Sequence, residues 1–258
     1  MKIKKHITAL ATAAALSATL PAVAQQSQHM APETMLSLAR VGASALSPDG
    51  KTVVYSVGFP SIKDNKIRTE LFTISSDGSA RRQITQGVAG VHGARWIQQG
   101  RRISYISSES GAPQVWTMAP DGTDRRQVTN IEGGLSDYLF SPDEKQLAYI
   151  KEISFGKSTK EIYPDLPKAT GRIVTDLMYK HWDEWVETIP HIFIAPVGGE
   201  AITGGKDILE GEPYEAPTKP FGGAEELSWS PDGKTLAYSS RKKTGMEYSL
   251  STNTDIYL

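Results

Sequence analysis

The side chains best suited to chemistry lie in one run, Asp176-Leu177-Met178-Tyr179-Lys180-His181-Trp182-Asp183-Glu184-Trp185. Two indoles flank two adjacent carboxylates. A carboxylate draws an ammonium group by charge, and an aromatic face draws it through its quadrupole. Asp183, Glu184 and Trp185 are therefore the candidate substrate-binding set. The competing reading is packing, with the indoles covering the fold and the carboxylates facing water. A metal site built from His181, Asp183, Glu184 and His191 would match no ordinary ligand spacing, so no metal is assigned, and no other cofactor. No catalytic residue is assigned either. The sequence holds no Gly-x-Ser-x-Gly elbow, Gly-x-Gly-x-x-Gly loop, phosphate loop or His-Glu-x-x-His pair. Cysteine is absent, which removes thiolate catalysis, thiolate metal sites and disulfides.

The elements that must position these residues are announced by a repeat. Ser47-Pro48-Asp49-Gly50-Lys51-Thr52-Val53-Val54-Tyr55 returns as Ser141-Pro142-Asp143-Glu144-Lys145-Gln146-Leu147-Ala148-Tyr149 and as Ser230-Pro231-Asp232-Gly233-Lys234-Thr235-Leu236-Ala237-Tyr238. A degenerate copy runs from Ile97 to Tyr105. Proline presets φ, aspartate bonds its own backbone, and glycine accepts positive φ, so each copy reads as a turn between two strands. Glu144 replaces the glycine, so its turn must differ or carry strain. A second hairpin follows each first, marked by Asp77-Gly78, Asp121-Gly122 and Gly198-Gly199. Gly78 and Gly122 stand 44 residues apart, the size of one four-stranded propeller blade.

The expected fold is therefore all-β: an incomplete β-propeller of about three and a half four-stranded blades after a cleavable signal peptide. Its divisions are a signal peptide at 1–24, a lead-in at 25–46 and a partial propeller at 47–258. The blades fall near 47–90, 91–134, 135–225 and 226–258, the third enlarged by an insertion at 155–190 and the fourth truncated inside its third strand. A β-sandwich would not need the 44-residue self-similarity. Within the insertion, Tyr163-Pro164-Asp165-Leu166-Pro167 is a stiff extended or turn stretch. Apolar residues at 173, 177, 182 and 185 suit a helix face, and alternation at 177, 179 and 181 suits a strand. The tyrosines at 55, 105, 149 and 238 are expected in the core, with hydroxyls bonded to neighbouring blades. The Arg81-Arg82 and Arg125-Arg126 pairs read as solvated strand ends.

Lys2, Lys4 and Lys5, the apolar run Ile7–Leu20 and the Ala22-Val23-Ala24 site form a secretory signal, cleaved after Ala24, which places the product in the periplasm or outside the cell. The run is too short to cross a bilayer of roughly 30 Å, and no later run is longer. At 39% hydrophobic and 22% charged residues the chain has the composition of a folded domain. Its net charge of −1 offers no basic field for nucleic acid or an anionic membrane surface.

The Ser-Pro-Asp-Gly-Lys turns, the signal, and above all Tyr163-Pro164-Asp165-Leu166-Pro167 with Asp176 to Trp185 resemble the prolyl oligopeptidase family of serine peptidases, in its dipeptidyl-peptidase 5 and acylaminoacyl-peptidase branch. The resemblance implies an N-terminal propeller that screens access to a C-terminal α/β-hydrolase domain carrying Ser, His and Asp. It implies peptide substrates, release of dipeptides or short N-terminal units, and a full-length protein open to homodimer formation. It also implies a propeller carboxylate that holds the substrate's free amino terminus, for which Asp183, Glu184 and Glu187 are the positional candidates. The hydrolase domain is missing from these residues, so the fragment alone is expected to be inactive. The Ser-Pro-Asp-Gly turn is shared with Tol-system periplasmic propellers, so the runner-up is a Tol-like protein-binding module.

Overall fold

The computed structural model describes residues 30–177 and 179–258; the expected signal peptide and its cleavage site lie outside them. Among the described residues no helix is long and apolar enough to cross a membrane.

A short helix, α1 (Pro32–Ser37), leads into four antiparallel meanders that follow one another along the chain. The first sheet is β1 (Arg40–Leu46), β2 (Thr52–Ser61), β3 (Lys66–Ser75) and β4 (Arg82–Gln83). The second is β5 (His92–Ile97), β6 (Arg102–Ser107), β7 (Gln114–Met118) and β8 (Arg126–Gln127). The third starts with β9 (Asp137–Phe140) and β10 (Gln146–Ser154). The chain then leaves it through α2 (Thr159–Ile162) and a separate hairpin, β11 (Lys180–His181) and β12 (Glu184–Trp185). It returns as β13 (Thr188–Pro196) and β14 (Lys206–Asp207). The fourth sheet is β15 (Leu227–Trp229), β16 (Leu236–Ser240) and, after α3 (Gly245–Leu250), β17 (Asp255–Tyr257). Residues 40–46, upstream of the first Ser-Pro-Asp-Gly turn, thus form a strand of the first sheet.

The three intact turns share one bonding pattern. Ser47 Oγ donates to Asp49 Oδ1 at 2.6 Å, the Lys51 amide donates to the same oxygen at 3.1 Å, and the Thr52 amide donates to Ser47 Oγ at 2.9 Å. Ser141/Asp143 and Ser230/Asp232 repeat this bond for bond. Gly50 and Gly233 take φ of 72° and 68°, and Glu144 is held at 56° in the same place. The turn therefore keeps its form and carries the strain, since a side chain disfavours the left-handed region.

The sheets stack in chain order. Val54 and Leu71 of the first meet Ile103, Tyr105 and Met118 of the second. Ile106 and Val115 of the second meet Tyr138, Leu147 and Tyr149 of the third. Ala148, Ile150 and Ile192 of the third meet Leu227, Leu236 and Tyr238 of the fourth. Along β10, Leu147 and Tyr149 face one neighbour while Ala148 and Ile150 face the other, which is the period-two pattern of a strand buried on both faces. A two-sheet sandwich has no sheet of this kind. Serial stacking of four-stranded meanders is the arrangement of propeller blades.

The tyrosines that close the repeats each face an aromatic residue on the third strand: Tyr55 opposite Phe72, Tyr105 opposite Trp116, Tyr149 opposite Phe193 and Tyr238 opposite Tyr257. Three of these pairs stack, with ring centroids 5.7, 5.3 and 5.6 Å apart. The hydroxyls of Tyr55 and Tyr105 do not reach a neighbouring sheet. They accept from Arg81 Nε at 3.1 Å and Arg125 Nε at 2.9 Å, on the return segment of their own sheet. The first of each arginine pair is thus a tyrosine partner rather than a free strand end. Bonds between sheets come from other residues. Trp96 Nε1 donates to Ala45 O at 3.0 Å, and Trp229 Nε1 to Leu139 O at 3.3 Å. Buried Tyr138 donates to Gly93 O at 2.9 Å, and burial pushes its phenol up to about 12.

Candidate functional site

The connection between second and third strands is the place where the sheets differ. It is short in the first two sheets, holds 155–187 in the third and holds α3 in the fourth. Because neighbouring sheets place this connection at the same end, the two excursions meet. Ile189, Val186 and Phe155 pack with Tyr248 of α3.

At the tip of the larger excursion Lys180 pairs with Trp185 and His181 with Glu184, leaving Trp182 and Asp183 as a two-residue turn. Of the alternating positions 177, 179 and 181, His181 alone lies in a strand, and no helix forms over 173–185 among the described residues. Trp182 supplies the positive φ, 52°, that the two-residue turn requires. Asp183 and Glu184 are exposed, and neither enters an ion pair among the described residues. Trp185, 42% exposed, lies between protein cations: the Arg172 guanidinium carbon sits 4.6 Å and Lys180 Nζ 4.7 Å from its ring centroid. Glu187, the further positional candidate, is bound by Arg172 at 2.8 Å. The hairpin thus sets Asp183 in the turn and Glu184 and Trp185 at successive positions of β12, facing opposite sides of the ribbon, with the two carboxylates exposed and the indole face engaged by protein cations. Beside it an open cleft of about 630 Å³ is lined by Phe155, Arg172, Tyr179, Trp185 and Glu187 among others.

The two histidines considered together for a metal lie in different surroundings. His191 is buried in β13, its Nδ1 2.8 Å from Asp207 Oδ2. It occupies the third-strand position held by Glu70 and Gln114 in the earlier sheets. There Glu70 accepts from Thr85 Oγ1 and the Gly87 amide, both at 2.7 Å, and Gln114 Oε1 accepts from Thr129 Oγ1 at 2.7 Å and the Ile131 amide at 2.9 Å.

His181 instead joins a buried polar cluster that the sequence did not announce. Glu215, 1% exposed, lies with one carboxylate oxygen 3.3 Å from His181 Nε2. Its other oxygen accepts from the Tyr248 hydroxyl and from the Lys219 amide at 3.2 Å, and faces Arg241 at 3.6 Å. The Arg241 guanidinium carbon stands 3.7 Å from the Tyr248 ring centroid. Burial, followed by the bond to Glu215, pushes the Tyr248 phenol upward and keeps it a donor. Nothing in the spacing of 181, 215, 241 and 248 signals the cluster, because its members come from four segments that meet only when the third and fourth sheets stack.

No family model matches the sequence. The chain is 63% identical over 231 residues to dipeptidyl-peptidase 5 of Porphyromonas gingivalis, covering 90% of this chain and 34% of the relative. It is 50% identical over 232 residues to dipeptidyl-peptidase 5 of Porphyromonas endodontalis, again 90% of this chain and 34% of the relative. Among solved structures, an acylaminoacyl peptidase of Pyrococcus horikoshii superposes with a TM-score of 0.54 at 12% identity, over 80% of this chain and 28% of its own. The chain therefore spans about a third of the length of the curated relatives it matches. The expected resemblance to the dipeptidyl-peptidase 5 branch is borne out by sequence, and the likeness to the acylaminoacyl peptidase bears on the fold.

Proposed function

We propose that this chain, a relative of dipeptidyl-peptidase 5, is the propeller portion of an exported serine peptidase that releases dipeptides or short N-terminal units from oligopeptides. The observation that carries the reading is 63% identity sustained over 231 residues. In this reading the relatives' remaining length supplies further blades and an α/β-hydrolase domain. There a serine attacks the scissile carbonyl, a histidine moves the proton and an aspartate orients the histidine. The stacked sheets screen access, admitting short peptides. Asp183 and Glu184 receive the substrate's α-ammonium, which fixes how far the chain enters and makes the product dipeptide-sized; Trp185 flanks them. Residues 1–24 direct export to the periplasm or the medium, the lead-in ends ahead of β1, and 40–258 belong to the propeller. A homodimer of the full-length protein belongs to the same reading.

The test uses the gene product at the full length of its relatives and a dipeptidyl chromogenic substrate. Asp183→Asn with Glu184→Gln should raise KM about tenfold, about 1.4 kcal/mol of lost ammonium binding, with kcat nearly unchanged. An unaltered KM would remove these two residues from the site. Residues 1–258 alone should show no turnover, because they contain no nucleophile elbow. Clear hydrolysis by that fragment would contradict the division of labour.

A further inference from the structure

We propose that Glu215, acting through His181, is the residue that positions the Asp183–Glu184 hairpin on the body of the fold. β11 and β12 pair with each other and, among the described residues, with no other strand. Among the described residues, the side chains of Trp182 and His181 tie the hairpin's tip to segments beyond its own excursion, and Val186 at its base packs with Tyr248. Trp182 meets Phe221 edge to face at 5.2 Å, with both rings about three-quarters exposed at 74% and 76%. His181 meets Glu215 and the Tyr248 hydroxyl, each at 3.3 Å, beneath the surface.

Glu215 is suited to act as the fixed end. Its carbonyl accepts from Ser240 Oγ of β16 at 2.9 Å, and the next amide, of Ala216, donates to Pro190 O of β13 at 3.0 Å. The residue is thus pinned by its main chain to both the third and the fourth sheets. Its carboxylate has lone pairs for several donors. Tyr248, the Lys219 amide and Arg241 engage one oxygen, which leaves the other for the imidazole. His181 is the cross-strand partner of Glu184 and stands two residues before Asp183. A shift of the imidazole therefore carries both carboxylates with it. The consequence for catalysis rests on reading Asp183 and Glu184 as the ammonium site; the positioning of the hairpin does not.

The experiment takes the full-length chain and measures amide hydrogen exchange together with steady-state kinetics on a dipeptidyl chromogenic substrate. Truncating Glu215 would strand the buried Arg241 charge and endanger folding, so the first variant is His181→Ala. It should speed exchange within 179–187 about tenfold, notably at the Val186 amide bonded to Tyr179 O, while 102–118 stays unchanged. It should raise KM about tenfold with kcat within about twofold. His181→Gln, which keeps an N–H donor, should recover most of both effects. Glu215→Gln combined with His181→Ala should be no worse than the more severe single variant, as coupled residues require. Unaltered exchange at 179–187 in His181→Ala, or strictly additive effects in the double variant, would overturn the proposal. If His181→Ala loosens the hairpin while the Asp183 and Glu184 variants leave KM untouched, the ammonium reading fails and the positioning stands. If those variants raise KM while the hairpin stays firm in His181→Ala, the positioning fails alone.

Discussion

At the scale of single residues, short polar side chains hold the backbone in its turns. The carboxyls of Asp49, Asp143 and Asp232 are held below the ordinary value of 3.8, chiefly by their serine hydroxyls and then by the amide two residues on. A depressed folded-state value means that the stabilisation is complete above the unfolded value and is lost as pH falls through the folded one. Thermal stability should therefore hold from neutral pH down to about the ordinary carboxyl value and drop below it. Replacing Ser47, Ser141 and Ser230 by alanine should flatten that drop, which melting curves at two acidic pH values would reveal; an unchanged drop would place the acid sensitivity elsewhere. Glu144 gives a second check. Its carboxylate also accepts from the Gln98 amide of the neighbouring sheet, so Glu144→Ala loses that bond and keeps the left-handed strain. Glu144→Gly loses the bond and the strain together, and should be more stable than the alanine variant by about 1 kcal/mol in urea unfolding. Equal stabilities would mean that the position is unstrained. The serine–aspartate turns were legible in the sequence because their bonds span five residues or fewer, and the strain at Glu144 because the glycine of the other copies is replaced there, whereas its bond to Gln98 spans 46 residues and was not. Glu215 and Tyr248 were not legible, because their roles arise from contacts across 33 residues and more.

At the scale of elements, sheets are joined by apolar layers and by a few directed bonds. Trp96 and Trp229 stand at equivalent places in β5 and β15, and each donates to a carbonyl in the first strand of the preceding sheet. Replacing either by phenylalanine should cost about 1 kcal/mol, and the two costs should add because the sites are far apart in the stack. A double-variant denaturation series checks this. Gly122 adds a steric junction. At φ of 87° a Cβ there would stand 2.5 Å from Ile84 O of the first sheet, whereas Gly78, at φ of 85° in the equivalent turn, has open space around it. Gly122→Ala should therefore be clearly more destabilising than Gly78→Ala, both paying the left-handed cost of about 1–2 kcal/mol and only the former the collision. The hairpins were readable from Asp-Gly spacing and alternation. Tyrosine hydroxyls were misjudged because the arginines that meet Tyr55 and Tyr105 lie on the return strand, a pairing that register alone determines. The helix α3 had no signal strong enough to interrupt a strand–turn reading.

At the scale of the whole molecule, serial stacking gives the chain a one-dimensional architecture in which each sheet is stabilised by its neighbours. β1 is exposed along most of its length, and Ile256 of β17 is 77% exposed. Such surfaces invite pairing with another copy, so the 258-residue chain should self-associate with rising concentration; sedimentation showing a monomer at all concentrations would argue that these surfaces are protected. The function proposed above is that the stacked sheets belong to a peptidase that recognises a free amino terminus. It is tested most directly by giving the gene product, at the full length of its relatives, a dipeptidyl chromogenic substrate and the same compound N-acetylated. Acetylation, which removes the ammonium charge, should lower kcat/KM at least about a hundredfold, mainly through KM. Equal turnover of the two compounds would contradict it.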